Sequence, residues 1–193
     1  MSLSRYDIIL ASNSPRRKEL LAGLDLDYKI VLLPDIDESY PPNIRGESIA
    51  EYVAVKKAKA YELEESTLLI TADTIVLLGD EVLGKPKDGD EAKKMLTALS
   101  GRTHIVATGV CISTKEKRKS FVITSEVRFA PLDKSEIDYY VDKYKPLDKA
   151  GAYGVQEWIG YIAVEYISGS YFNIMGLPVQ RLYQELKKFS SLE

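Results

Sequence analysis

Between Ser12 and Arg17 the chain places two hydroxyls, a proline and two adjacent guanidiniums, directly after the apolar run that ends at Leu10-Ala11. Pro15 suits the first position of a helix and Ser14 suits its N-cap. Amides in the first turn of a helix lack intrahelical partners and can accept a phosphate, while Arg16 and Arg17 add forked, charge-assisted donors. Ser12, Ser14, Arg16 and Arg17 therefore read as a grip for a polyphosphate. The plainer alternative turns both arginines to solvent.

Two acids invite a second kind of chemistry. Asp73 interrupts the aliphatic run Leu68-Leu69-Ile70 … Ile75-Val76-Leu77-Leu78. A carboxylate deep in such a run is costly unless it is paired, hydrogen-bonded or metal-bound. Either a strand ends there and Asp73 opens a turn, or Asp73 binds a hard cation or activates a water. Glu38 lies in the polar stretch Pro34 to Gly46 with Asp35 and Asp37, where a lone glutamate is ordinarily a surface group. Taken together, Asp73 and Glu38 suit Mg²⁺ or Mn²⁺, especially where substrate phosphates complete the coordination. Lys57 and Lys85 are candidates to neutralise a polyphosphate, although lone lysines are usually solvated. Gln156 closes the glycine-containing segment Lys149 to Gln156. Small residues there allow backbone to approach a ligand, and the carboxamide could read a base edge or position a water.

Other chemistries find little support. The only histidine, His104, reads as structural, and no Gly-x-Ser-x-Gly elbow, Gly-x-x-x-x-Gly-Lys-Ser/Thr loop, dinucleotide glycine fingerprint or zinc cluster is present. A net charge of −3 argues against nucleic-acid binding by bulk electrostatics but leaves room for a small anionic ligand. The single cysteine, Cys111, precludes an intramolecular disulfide and reads as a buried small hydrophobe in a reducing compartment. The N-terminus lacks a signal segment and no apolar run is long enough to span a bilayer, so a cytoplasmic protein with no membrane partner is expected.

Elements must hold these groups in place, and the 193 residues suffice for one domain or two lobes on one core. Strands are expected over Tyr6 to Ala11, Tyr28 to Leu33, Thr67 to Leu78 (interrupted at Ala72-Asp73-Thr74), Glu81 to Leu83, His104 to Thr114, Ser120 to Phe129 and Ile159 to Ile167. Helices are expected over Pro15 to Leu24, Asp88 to Leu99 and Pro178 to Phe189, and after capping boxes at Ser48-Ile49-Ala50-Glu51 and Asp133-Lys134-Ser135-Glu136. Interleaved strands and helices with antiparallel pairs near the middle give an α/β class with a mixed, twisted sheet and flanking helices.

Together these residues resemble the Maf family, the septum-formation-inhibitor-like nucleoside triphosphate pyrophosphatases. The resemblance rests on an ordered set spanning nearly the whole chain: Leu10-Ala11-Ser12-x-Ser14-Pro15-Arg16-Arg17, Asp37-Glu38, Lys57-Ala58, Ala72-Asp73-Thr74, Gly84-Lys85-Pro86, Leu99 to His104, Asp148 to Gln156, and Gly176-Leu177-Pro178. It implies one domain over residues 1–191, with Leu192-Glu193 set aside as an appended remnant. The implied fold is inosine-triphosphatase-like, with two lobes around a central cleft. It also implies a divalent metal, a nucleoside triphosphate substrate, a cytoplasmic location and frequent homodimers. Its functional positions fall on Ser12, Arg16, Glu38, Lys57, Asp73, Lys85 and Gln156. Arg16 after Pro15, Thr74 after Asp73, and the late Asp-Lys-Ala-Gly-Ala-Tyr-Gly-Val-Gln resemble the branch acting on dTTP and UTP, with Thr74 and Gln156 recognising the pyrimidine. Glu157-Trp158 stand where relatives commonly begin with Gly. Alternative functions are house-cleaning of modified nucleotides and nucleotide sensing in cell division.

Overall fold

A computed structural model describes residue 3 and residues 5–190; the expected remnant at residues 192–193 lies outside them. In chain order the elements are β1 (Asp7–Leu10), α1 (Pro15–Ala22), β2 (Lys29–Ile30), α2 (Ser48–Lys59), β3 (Thr67–Leu78), β4 (Glu81–Leu83), α3 (Gly89–Leu99), β5 (Thr103–Ser113), β6 (Arg118–Phe129), α4 (Lys134–Tyr144), α5 (Trp158–Ala163), β7 (Val164–Ser168), α6 (Tyr171–Met175) and α7 (Val179–Ser190). The strands form a seven-stranded sheet in the order β2-β1-β3-β5-β6-β7, with β4 on β3. Pairs β1/β2 and β1/β3 are parallel, whereas β3/β4 and β6/β7 are antiparallel, so the sheet is mixed as expected.

The described residues divide into two compact units, one combining those up to Asp73, Thr108–Ile123 and those from Gly176 onward, the other Thr74–Ala107 and Thr124–Met175. In the first, helix α2 approaches the sheet closely because its inward positions are small. Ala54 and Ala58, one turn apart, pack with Leu69 and Cys111. Gly109 on β5 has no room for a side chain: a Cβ would stand 2.3 Å from Ala50 backbone atoms. Thr71 on β3 donates to the Ala54 carbonyl at 2.7 Å, locking strand to helix. On α7, Leu182, Leu186 and Phe189 point into the core at helical spacing, as their periodicity predicts.

In the second unit, α3 buries Ala92, Leu96 and Leu99, and Asp88 caps it by accepting from the Glu91 N–H at 2.8 Å. Helix α4 starts as expected, with Glu136 accepting from the Asp133 N–H at 2.8 Å. His104 is buried, joined to the Tyr153 hydroxyl at 2.8 Å and edge-on to Phe129, in keeping with a structural role. Burial lowers its pKa to about 4 and raises that of Tyr153.

Four expected elements differ. The Ser48 capping box does not form: Gly46, at φ 59°, turns the chain so that Glu47 is already helical and serves as the N-cap without a side-chain bond. The strand expected over 28–33 shrinks to β2, because the Tyr61 hydroxyl takes the Leu33 N–H and donates to the Val31 carbonyl, holding that stretch by side chain rather than by sheet. The strand expected from Ile159 begins as helix α5. Ile159 and Ala163 are both buried at i and i+4, and Gly160 lets the turn press on the Val155 carbonyl, 1.8 Å from where a Cβ would stand. Finally, β3 runs unbroken through Asp73, so that carboxylate belongs to a strand rather than a turn. Among the described residues no helix is long and apolar enough to cross a membrane.

Candidate active site

Asp73 lies two residues beyond Thr71 on one face of β3, and Lys57 lies three beyond Ala54 on one face of α2. The Thr71–Ala54 lock therefore carries a second rung, in which the Lys57 ammonium meets Asp73 Oδ1 at 2.8 Å. The side chains are 12% and 14% exposed, so the ion pair offsets the cost of a largely buried carboxylate.

The same ammonium reaches Glu38 Oε1 at 2.8 Å. Both acids thus touch one nitrogen, and their nearest oxygens lie within twice that distance of each other. Glu38 arrives there because its neighbour anchors the loop. Asp37 accepts from the Ser39 N–H and hydroxyl, each at 2.8 Å, and pairs with Lys56 at 2.7 Å. Lys56, foremost, and Ser39 hold the Asp37 carboxyl down to about 2. Two consecutive acids on the loop meet two consecutive lysines on α2. The Asp37–Lys56 latch escaped the sequence reading, although Asp37-Glu38 facing Lys56-Lys57 was its signal.

Arg17 is turned inward. Its Nε donates to the Gly176 carbonyl at 2.8 Å, and one terminal nitrogen donates to the Ala72 carbonyl at 3.0 Å and to Ser12 Oγ at 3.5 Å. It ties the start of α1 to the strand residue before Asp73 and to the Gly176-Leu177-Pro178 turn. Burial lowers the Arg17 pKa; the attraction of Asp73 opposes this, repulsion from Arg16 reinforces it, and Glu38 opposes it more weakly. Ser14 Oγ accepts from the Arg17 N–H at 3.4 Å as the N-cap, and the Lys18 N–H goes to the Ser14 carbonyl at 3.2 Å. One first-turn amide expected to receive a phosphate, that of Arg17, is therefore already paired, and the Lys18 bond is the helix's own first rung. Ser12 is buried and its Oγ accepts from the Ser14 N–H at 3.2 Å, while Arg16 is half-buried beside this group.

The second unit gathers three other segments. Thr74 is half-buried on β3, Lys85 is exposed after β4, and Gln156 is half-buried before α5. Gly151, at φ 67°, joins them: its N–H donates to the Gly84 carbonyl at 3.1 Å, and a Cβ on it would press within 2.9 Å of Val76. The Gln156 segment thus packs on the strand that carries Thr74 and bonds to the residue preceding Lys85.

As to a metal, Asp73 and Glu38 supply hard oxygen donors that already converge on one cation, the Lys57 ammonium, so the residues fit Mg²⁺ or Mn²⁺ in kind. Among the described residues no three metal-ligating side chains of the Asp, Glu, His or Cys type converge, so substrate and water would provide the remaining ligands.

This mixed α/β architecture is shared with a solved HAM1 protein from Coxiella burnetii, at a TM-score of 0.52 and 20% identity over 95% of this chain and 99% of that one, a likeness of fold. Residues 7–189 match the family model described as Maf-like protein, and the chain belongs to the Maf family. A Bacteroides thetaiotaomicron protein named dTTP/UTP pyrophosphatase is 60% identical over 97% of this chain and 98% of its own length. A Porphyromonas gingivalis protein of the same name is 53% identical over 97% and 96% respectively.

Proposed function

We propose that this protein hydrolyses dTTP and UTP to the monophosphate and pyrophosphate in a reaction that needs a divalent cation. The observation carrying this reading is the meeting of Asp73 and Glu38 at one cationic position, 2.8 Å from each carboxylate. The two relatives, similar over nearly their full length, bear a name that specifies this substrate pair.

Mg²⁺ or Mn²⁺ held by Asp73 and Glu38 would neutralise phosphate charge and lower the pKa of water. Asp73 orients the attacking water and takes its proton. The water oxygen bonds to the α-phosphorus as the bond from that phosphorus to the α–β bridging oxygen breaks, and the electron pair leaves with pyrophosphate. Lys57 balances the charge of both acids and of the phosphates. Arg16 and Lys85 complement the phosphate oxygens and the leaving group. Arg17 and Ser12 hold the loop before α1 in shape, Ser14 caps α1, and Thr74 and Gln156 read the base. The same reading puts the protein in the cytoplasm as a dimer acting on free nucleotides, not on nucleic acid or membranes. Its one cysteine, buried Cys111, fits a reducing compartment.

The test is a nucleotide panel with Mg²⁺, Mn²⁺ or chelator, with both products identified by chromatography. UMP or dTMP with equimolar pyrophosphate, abolished by chelator, is expected. Release of inorganic phosphate would mean that another bond is cut and would overturn the reading.

A further inference from the structure

The Gln156 carboxamide oxygen is buried and has no hydrogen-bond partner among the described residues. An acceptor left this way is costly unless a ligand supplies a donor. The imide edge of uracil or thymine does so: its N3–H would meet Oε1 while a ring carbonyl accepts from Nε2. Cytosine presents the reverse, an N3 acceptor beside an amino donor. A carboxamide free to rotate by half a turn would serve either base, so discrimination requires its orientation to be fixed.

Glu157 lies where it can fix that orientation. A Cβ built on Gly154 would stand 3.0 Å from Gln156 Nε2 and 3.0 Å from Glu157 Oε2, so amide and carboxylate fill the space over one glycine. A carboxylate there favours the NH₂ end of the amide on its own side and turns Oε1 away. Glu157 is itself clamped. The Tyr140 hydroxyl donates to Oε2 and accepts from the Gly154 N–H at 3.0 Å. The Lys149 ammonium, 9% exposed, stands 3.2 Å from Oε1 and 2.7 Å from Asp148 Oδ1. The Glu157 N–H closes the turn onto the Gly154 carbonyl at 2.9 Å. Upstream, Ala152 holds a left-handed φ of 58°, a conformation that a non-glycine residue keeps only where its surroundings impose it.

We propose that Glu157, clamped by Tyr140 and Lys149, is a positioning residue that locks the Gln156 carboxamide in the orientation selecting pyrimidine triphosphates with a ring N3–H over cytosine nucleotides. This rests on the pyrophosphatase reading above.

The experiment measures kcat/KM for UTP and CTP, by pyrophosphate release, in the wild type, Glu157→Gln and Tyr140→Phe, with thermal midpoints recorded alongside. Glu157→Gln keeps the shape and removes the charge, and Tyr140→Phe deletes only the hydroxyl. In both, the UTP-to-CTP ratio is expected to fall about tenfold, mainly through a raised KM for UTP and a lowered one for CTP. An unchanged ratio in folded variants, or parallel loss on both nucleotides, overturns the inference while leaving the activity standing. A wild type that releases no pyrophosphate from UTP overturns both.

Discussion

Lys57 is the residue on which the first unit's polar groups centre. Removing either acid takes away one of the two carboxylates its ammonium joins, and removing the lysine takes from both carboxylates the ammonium they share. Asp73 is the more buried acid and stands on the rigid strand. Asp73→Asn should therefore keep the hydrogen bond and the fold while pyrophosphate release drops about 10²–10³-fold, the usual cost of losing one essential electrostatic group. Circular dichroism with a turnover assay checks this, and near-wild-type turnover in folded protein would remove Asp73 from the mechanism. By type and adjacency Arg17 reads, with Arg16, as an anion ligand. Its bonds to the Gly176 and Ala72 carbonyls give it a bracing role that adjacency alone does not reveal.

At the scale of elements, the distance from α2 to the sheet decides whether Lys57 can reach Asp73. Small side chains set that distance, above all Gly109 beneath Ala50. Gly109→Ala should push the helix outward, cost about 1–3 kcal/mol of stability and reduce turnover beyond the loss of folded protein. Urea melts and kcat on the folded fraction measure the two effects, and a variant with wild-type stability would show that the helix does not sit as described. Helix α5 carries a similar lesson. Its Trp-Ile-Gly-Tyr-Ile-Ala sequence favours a strand by composition, yet the close contact of Gly160 with Val155 and the burial of Ile159 and Ala163 make it helical.

For the whole molecule, acid stability should depend on His104. Its folded pKa of about 4 lies below the ordinary 6.5, so the native state excludes a proton that the unfolded chain binds. The stability this provides is complete above about pH 6.5 and is lost as pH falls through the folded value, up to about 3 kcal/mol. Urea midpoints between pH 7 and pH 4 should fall more steeply for the wild type than for His104→Gln. Parallel profiles would clear His104 of this role.

The order of strands and helices from β1 through α4, the terminal helix, the mixed sheet, the α4 capping box, the Ser14 cap and the burial of His104 and Cys111 were legible in the chain, because each depends on local pattern or on a residue's own hydrophobicity. So were the acids and lysines as candidates, through the cost of a carboxylate in an aliphatic run and the ordered motifs of a family. Only the tertiary structure decided that β3 continues through Asp73, that one ammonium joins Asp73 and Glu38, that Arg17 faces inward, and that Tyr140 and Lys149 clamp Glu157. Those outcomes rest on contacts between residues distant in sequence, whose geometry follows from how closely helices approach the sheet, and no local pattern encodes that distance.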